Sequence, residues 1–181
     1  MSVPFAATFV DPETLIRQLT IAPGSTVADF GCGSGYFSLA FAKAVGKDGK
    51  VIALDILPSA LEAVASRARM AGCLNVSTKR ANLEKENGSG LPVESIDWVI
   101  LKDVLFQNKS KDIMLKEVNR VVRPGGHILL MEWKDQNASV GPELHLRISR
   151  EEIIALAEVA GLSLKQELAV GDFHYAFLLG K

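Results

Sequence analysis

The chain has 181 residues, 48% of which are hydrophobic, so it can bury the core of one domain without disulfide or metal staples. Acidic and basic residues almost cancel, leaving a formal net charge of −1, which excludes the overall basic bias typical of nucleic-acid and membrane-surface binding. The two cysteines, Cys32 and Cys73, have no CxxC spacing, which excludes a disulfide framework and a cysteine zinc site.

The chain alternates between predicted helices and predicted strands. Asp11 and Pro12 predict the start of a short helix, with Asp11 as its N-cap. Apolar runs predict buried strands over residues 26–30, 50–55, 76–79, 96–101 and 127–133. Helical spacing predicts helices over residues 37–45, 58–70 and 112–122, the last of which ends in a turn over residues 123–126. After a loop over residues 134–146, Ser149 caps a helix that has Glu152 at the capping-box position and stops at Gly161.

A hairpin is predicted at the end of the chain. Two strand-like runs, 162–170 and 173–179, are separated only by Gly171 and Asp172, and so short a connection forces antiparallel pairing. The strands and helices that alternate before it imply a mostly parallel sheet with right-handed crossovers. The sequence therefore predicts an α/β fold with seven strands, of which only the last is antiparallel.

A glycine-rich turn follows the first predicted strand, in the run Asp29-Phe30-Gly31-Cys32-Gly33-Ser34-Gly35. Because glycine has no Cβ, such a backbone can turn sharply and let a ligand lie against its amides. The position suits a nucleotide-like cofactor, which open α/β sheets bind at the carboxyl ends of their strands. Asp55 ends the second predicted strand, where a carboxylate can accept hydrogen bonds from both hydroxyls of a ribose.

With the glycine turn, Asp55 and the strand count taken together, the chain resembles the class I S-adenosylmethionine (SAM)-dependent methyltransferases from about Asp11 to the C-terminus. The resemblance implies a Rossmann-like three-layer sandwich with strand order 3-2-1-4-5-7-6. It implies one methyltransferase domain over residues 11–181, preceded by a flexible segment or lid over residues 1–10. It also implies SAM as cofactor and S-adenosylhomocysteine as product. The loop over residues 132–149 is similar to that of small relatives of the ubiquinone/menaquinone methyltransferase group.

The resemblance assigns cofactor contacts along three strand ends. The backbone of the turn would wrap the methionyl part of SAM, and Asp29 would hold its amino end. Asp55 would bind the ribose, Ile56 would lie against the adenine, and Asn82 with Leu83 would meet the adenine edge. Asn82 replaces the commoner aspartate, but its amide still offers a carbonyl acceptor. The predicted cofactor-binding residues are Asp29, Gly31, Cys32, Gly33, Gly35, Asp55, Ile56, Asn82, Leu83 and Lys102.

Each of these assignments has a structural alternative. The glycines could form a tight turn without a ligand, Asp55 could cap the helix that begins at Pro58, and Asn82 could be a turn residue. A non-catalytic SAM-binding or interaction module would keep the same loop. A nicotinamide-dependent oxidoreductase would want the spacing GxGxxG, whereas Tyr36 stands at the sixth position here.

The ends of the fourth and fifth predicted strands would border the methyl-transfer site. Asp103 is the candidate base for an acceptor that needs one. Candidate substrate contacts are Glu132, Trp133, His145 and His174. The alternative for these residues is a solvated loop charge or a surface histidine. His127 begins its strand at the opposite edge and is not a candidate.

The acceptor is expected to be a small molecule, with a protein or an RNA left open. No Asn-Pro-Pro-Tyr-type sequence follows the fourth predicted strand, which argues against nucleobase and glutamine amide nitrogens as acceptors. This position also lacks the histidine that is frequent in relatives that methylate quinones or other small molecules. The three scattered histidines do not indicate a metal site. The two cysteines are expected to be reduced. Met1–Phe5 has no signal-peptide pattern, and no apolar run reaches the roughly 20 residues of a membrane span. These observations favour a cytoplasmic protein without membrane partners.

Overall fold

A single sheet organises the computed structural model, which describes residues 9–135 and 140–181. Its strands are β1 Thr26–Phe30, β2 Lys50–Asp55, β3 Val76–Arg80, β4 Ile96–Lys102, β5 Val122–Trp133, β6 Ser163–Leu168 and β7 His174–Gly180. The strand order is β3-β2-β1-β4-β5-β7-β6, and β7 runs antiparallel to both of its neighbours. The predicted order and the antiparallel hairpin are therefore confirmed, although residues 169–173 connect its strands and not Gly171 and Asp172 alone.

Helices cover both faces of the sheet and make the fold a three-layer sandwich. They are α1 Pro12–Ile16, α2 Tyr36–Val45, α3 Pro58–Met70, α4 Lys111–Val121 and α5 Arg150–Val159, with a 3-10 turn at Leu144–Leu146. One apolar cluster packs α4 and α5 on the sheet, and another packs α1 and α2 on the opposite face. Central strands β1 and β4 are buried on both faces, which is why they read as continuous apolar runs.

Two side-chain caps start helices as the sequence predicts. Asp11 Oδ2 accepts a hydrogen bond from Thr14 N at 3.0 Å, and Ser149 Oγ accepts one from Glu152 N at 3.2 Å. Each bond satisfies a backbone donor that the first turn of a helix leaves unpaired.

The predicted boundary between α4 and β5 is wrong. The residues expected to form a turn, 123–126, belong to β5, which begins at Val122 directly after α4. Ile96 pairs with Val122, but Trp98 pairs with His127. An advance of two residues along β4 therefore corresponds to an advance of five residues along β5. Gly125 has φ +77°, a conformation that lets the extra residues bulge out of the ladder. A proline-glycine pair therefore interrupts this strand without ending it.

The carboxyl ends of the parallel strands meet at one edge of the sheet, where the glycine turn follows β1, Asp55 ends β2 and Asp103 follows β4. Within the described part of the chain, no helix is long and apolar enough to cross a membrane.

Candidate functional site

A cleft of about 1100 Å³ opens at the carboxyl ends of β1, β2 and β4. The glycine turn, the loop after β3 and the first residues of the described N-terminal part surround it. Of the predicted cofactor residues, those that line the cleft are Asp29, Gly31, Cys32, Gly33, Asp55, Ile56, Asn82, Leu83 and Lys102. Residues widely separated in sequence thus meet where the topology of an α/β sheet places a ligand crevice.

The glycines of the turn differ in what surrounds them. Gly31, Gly33 and Gly35 have φ of +74°, +50° and +80°, a region that L side chains rarely adopt. A Cβ on Gly31 would collide with Val104, and one on Gly35 would lie 2.7 Å from Val64 Cγ2. A Cβ on Gly33 would have no atom within 4 Å. Gly31 and Gly35 therefore allow close packing, whereas Gly33 leaves backbone open to the cleft.

Asp55 connects the glycine turn to the start of α3. Its Oδ2 accepts a hydrogen bond from Gly33 N at 3.1 Å, and its Oδ1 accepts one from Leu57 N at 3.0 Å. A carboxylate has about four acceptor sites, so capacity for ligand hydroxyls remains. The capping contact before α3 and a ligand role are compatible.

Asp29 is a buried carboxylate at the floor of the cleft. It is 3% exposed, and its Oδ2 accepts a hydrogen bond from Ser38 Oγ at 2.5 Å. Burial raises the pKa of Asp29 to about 6, although the Ser38 hydroxyl and the Lys102 charge oppose the increase. An ammonium group in the cleft would favour the ionised form of this carboxyl.

Near Asp55, the cleft is lined by the polar loop after β3 and by apolar side chains. Asn82 Oδ1 accepts a hydrogen bond from Glu84 N at 3.1 Å, a local turn that orients the amide. Ile56 and Leu57 are 50% and 58% exposed and line the cleft. Exposed aliphatic side chains beside an oriented amide suit a flat heteroaromatic ring.

Asp103 lies at the other end of the cleft with a strained backbone. Its φ is +53°, and its backbone N donates to Met131 O at 3.0 Å. The left-handed region costs a non-glycine residue about 1–2 kcal/mol, and such residues concentrate at functional sites. Lys102 Nζ forms an ion pair with Asp103 Oδ2, and His174 Nε2 lies 3.1 Å from Oδ1.

Glu132 lies behind Asp103 and does not line the cleft. It is fully buried, and its Oε1 accepts hydrogen bonds from Val104 N at 3.0 Å and Leu105 N at 2.6 Å. Burial raises the pKa of Glu132 to about 8, with the Asp103 charge adding to the effect and the backbone donors opposing it. Glu132 therefore supports the turn that carries Asp103.

The other predicted substrate residues do not line the cleft. The rings of Trp133 and His174 pack together behind Asp103, with centroids 4.1 Å apart and planes tilted by 39°. His145 is exposed in the 3-10 turn, with Nδ1 3.2 Å from Glu143 Oε2. Gly35 packs against α3 and is likewise outside the cleft lining.

Several lining residues have no motif in the sequence. They are Phe9, Val10, Tyr36, Ala60, Gln107 and Asn108. The spacing after Asp103 could have indicated Gln107 and Asn108, since both follow the same strand end. Of the predicted lid over residues 1–10, only Phe9 and Val10 lie within the described residues, so its closure stays a prediction. The described residues contain no cluster of three or more metal-binding side chains.

Comparison with known proteins gives a family match over most of the chain. The methyltransferase domain family matches residues 21–166. The chain is 34% identical over 114 residues to the ubiquinone/menaquinone biosynthesis C-methyltransferase UbiE of Hydrogenovibrio crunogenus, covering 62% of this chain and 44% of that protein. It is 32% identical over 122 residues to the demethylmenaquinone methyltransferase of Bacillus cereus, covering 66% and 49%. The chain thus spans about half the length of these curated relatives.

A solved structure shows the same fold. The SAM-dependent methyltransferase from Aquifex aeolicus superimposes with a TM-score of 0.86 over 94% of this chain and 89% of its own, at 24% identity.

Proposed function

This chain belongs to the methyltransferase domain family, and we propose that it transfers the methyl group of SAM to a small-molecule acceptor. The prediction of a class I SAM-dependent methyltransferase is confirmed at the level of family and fold. The observation that carries the proposal is the cleft itself, in which an open glycine backbone faces three separate hydrogen-bond acceptors, Asp29, Asp55 and Asn82.

The side chains of the cleft fit the hydrogen-bond donors of SAM. The cofactor presents an ammonium group, two ribose hydroxyls and an adenine amino group. We assign the ammonium to Asp29, the hydroxyls to Asp55 and the amino group to Asn82, with Gly33 leaving backbone accessible between them. When bound, SAM supplies an electrophilic methyl carbon on a sulfonium centre. The residues of the chain then have to orient an acceptor in line with that carbon and exclude water.

We place the acceptor at the Asp103 end of the cleft. Its lining there combines the carboxylate with apolar Val104 and Met114 and the amides of Gln107 and Asn108. The cleft volume of about 1100 Å³ is larger than that of most pockets for a single drug-sized ligand, so a small acceptor has room beside the cofactor. Two of the curated relatives are named a ubiquinone/menaquinone biosynthesis C-methyltransferase and a demethylmenaquinone methyltransferase, and these names favour a quinol-like acceptor.

Ligand-induced stabilisation tests the cofactor half of the proposal. We expect SAM and S-adenosylhomocysteine to raise the melting temperature and NAD to leave it unchanged. Stabilisation by NAD alone would favour an oxidoreductase and would contradict the proposal. Isotope-labelled SAM with hydroquinones, phenols, proteins and RNA then tests transfer, and label in none of them would favour a non-catalytic SAM-binding module.

We also propose that the protein works in the cytoplasm. The described structure places Cys32 in the core and Cys73 half-buried, both as free thiols. Free thiols suit a reducing compartment. Cell fractionation with an antibody against the chain tests this, and recovery in an extracytoplasmic fraction would contradict it.

A further inference from the structure

We infer that His174 is a positioning residue that holds Asp103 as the base for the acceptor, and that the acceptor therefore carries a transferable proton. The inference rests on the proposed function and deepens it by naming a substrate class: hydroxyl, phenol or hydroquinone compounds, as opposed to tertiary amines and thioethers.

The pair spans the boundary between the core and the cleft. His174 is 3% exposed, whereas the Asp103 side chain is 17% exposed and lines the cleft. His174 Nε2 lies 3.1 Å from Asp103 Oδ1 and 3.3 Å from Oδ2, with hydrogen-bond geometry toward Oδ2. An acceptor molecule in the cleft would thus meet Asp103, while His174 acts only through it.

The imidazole ring of His174 is held in one orientation. Trp133 pairs with His174 across β5 and β7, and its ring packs against the imidazole with centroids 4.1 Å apart and planes tilted by 39°. Among the described residues, His174 Nδ1 is buried and has no hydrogen-bond partner. The proton of a neutral imidazole goes to the nitrogen that has an acceptor. Nε2 is therefore the donor, and Asp103 the acceptor.

Three elements hold the Asp103 carboxylate at this place. Lys102 pairs with it from β4, His174 contacts it from β7, and Glu132 of β5 binds the two backbone amides that follow it. Together they maintain the strained φ of +53° at Asp103. Strain kept by so many contacts indicates that the position of this carboxylate matters.

The transfer step balances with Asp103 as proton acceptor. The acceptor atom donates the electron pair of the new bond to the methyl carbon, and the carbon–sulfur bond breaks with its pair remaining on sulfur. The proton that the acceptor loses passes to the Asp103 carboxylate, whose charge Lys102 and His174 face. From there it leaves to solvent through the open side of the cleft.

Histidine NMR tests the pair without any turnover. The chain has three histidines, so ¹⁵N-histidine labelling gives few signals, and His174→Gln assigns the one of interest. We expect His174 Nε2 to carry a proton at neutral pH and its signal to shift in Asp103→Asn, with the signal of His127 unchanged. A His174 tautomer protonated on Nδ1 alone would overturn the inference.

Turnover with 1,4-naphthohydroquinone and phenol as acceptor probes separates positioning from a structural role. Asp103→Asn keeps a residue type that tolerates the left-handed region, and it should lower kcat by about 100-fold with S-adenosylhomocysteine binding retained. His174→Phe, which keeps an aromatic ring against Trp133, should lower kcat by roughly 100-fold. His174→Gln can still donate from Nε2 and should recover most of the loss. His127→Gln is the matched control.

The outcomes distinguish this inference from the proposed function. If the wild type binds neither SAM nor S-adenosylhomocysteine, the proposed function fails, and the inference about Asp103 and His174, which rests on it, fails with it. If it binds both and labels a probe, but Asp103→Asn turns over normally, only the inference fails. Equal activity of His174→Gln and His174→Phe would also overturn the positioning role. Labelling of N,N-dimethylaniline in preference to the hydroquinone and phenol would overturn the substrate class.

Discussion

Alanine substitutions at Gly31 and Gly33 should separate packing from cofactor access within the glycine turn. Both residues have positive φ, so each alanine costs about 1–2 kcal/mol of backbone strain. At Gly31 the new Cβ also collides with Val104, and forcing a methyl group into a packed site costs about 1–3 kcal/mol more. Gly33→Ala adds no collision, because its Cβ enters open space in the cleft.

These terms predict different losses of stability. Gly31→Ala should lower the free energy of unfolding by about 2–5 kcal/mol, which for a domain of this size is a melting temperature lower by roughly 4–20 °C. Gly33→Ala should lower it by roughly 2–8 °C. Gly24→Ala is the matched control, since Gly24 has φ +84°, no atom within 4 Å of the place that a Cβ would take, and no part in the cleft lining.

Thermal denaturation with and without S-adenosylhomocysteine measures both effects. We expect Gly33→Ala to lose at least about tenfold in affinity, because its methyl group occupies the surface against which the ligand lies. Gly24→Ala should bind as the wild type does. A Gly31→Ala variant as stable as Gly24→Ala, or a Gly33→Ala variant with unchanged affinity, would refute the reasoning.

Three further predictions concern charge and capping. Because the pKa of Glu132 is raised from 4.5 to about 8, the folded state binds a proton more tightly than the unfolded state, and stability falls as the pH rises through this window. Glu132→Gln mimics the neutral acid and does not titrate. Between pH 5 and 8, its free energy of unfolding, measured by urea denaturation, should therefore rise relative to that of the wild type by about 1.4 kcal/mol per pH unit. A difference between the two proteins that stays constant with pH would count against this. Asp55→Ala removes the acceptor of Gly33 N and Leu57 N, so calorimetry should show S-adenosylhomocysteine binding weakened about tenfold or more, and an unchanged Kd would contradict the ribose assignment. Ser149→Ala should cost about 1 kcal/mol of unfolding free energy, whereas equal stability would mean that the cap on Glu152 N contributes nothing.

The side of the cleft that we assign to the cofactor could be predicted because its signals are local. The glycine turn follows β1, Asp55 is the last residue of β2, and Asn82 lies two residues after β3, and parallel strands bring their carboxyl ends to one edge. Once the alternation of strands and helices is recognised, the topology places these residues together without knowledge of side-chain packing.

The acceptor side depended on packing that a sequence does not display. Asp103 and His174 are 71 positions apart, and their contact needs β7 to return antiparallel beside β5 in one particular register. The same register buries Glu132 and sets Trp133 against His174 outside the cleft lining, although the sequence places both residues at a strand end as if they faced a ligand. The bulge in β5 at Gly125 is another such feature, since proline and glycine predict a turn locally and the pairing with β4 overrides it.

By itself, then, the sequence determined the seven-stranded α/β fold and its family and predicted a place for the cofactor, since periodicity and short motifs encode all three. The tertiary structure alone decided that Asp103 lines the cleft, whereas Glu132 and His174 are buried and contact Asp103 or the residues that follow it. The physical reason is that strand register and burial are properties of neighbours across the sheet, and these neighbours are far apart in the chain.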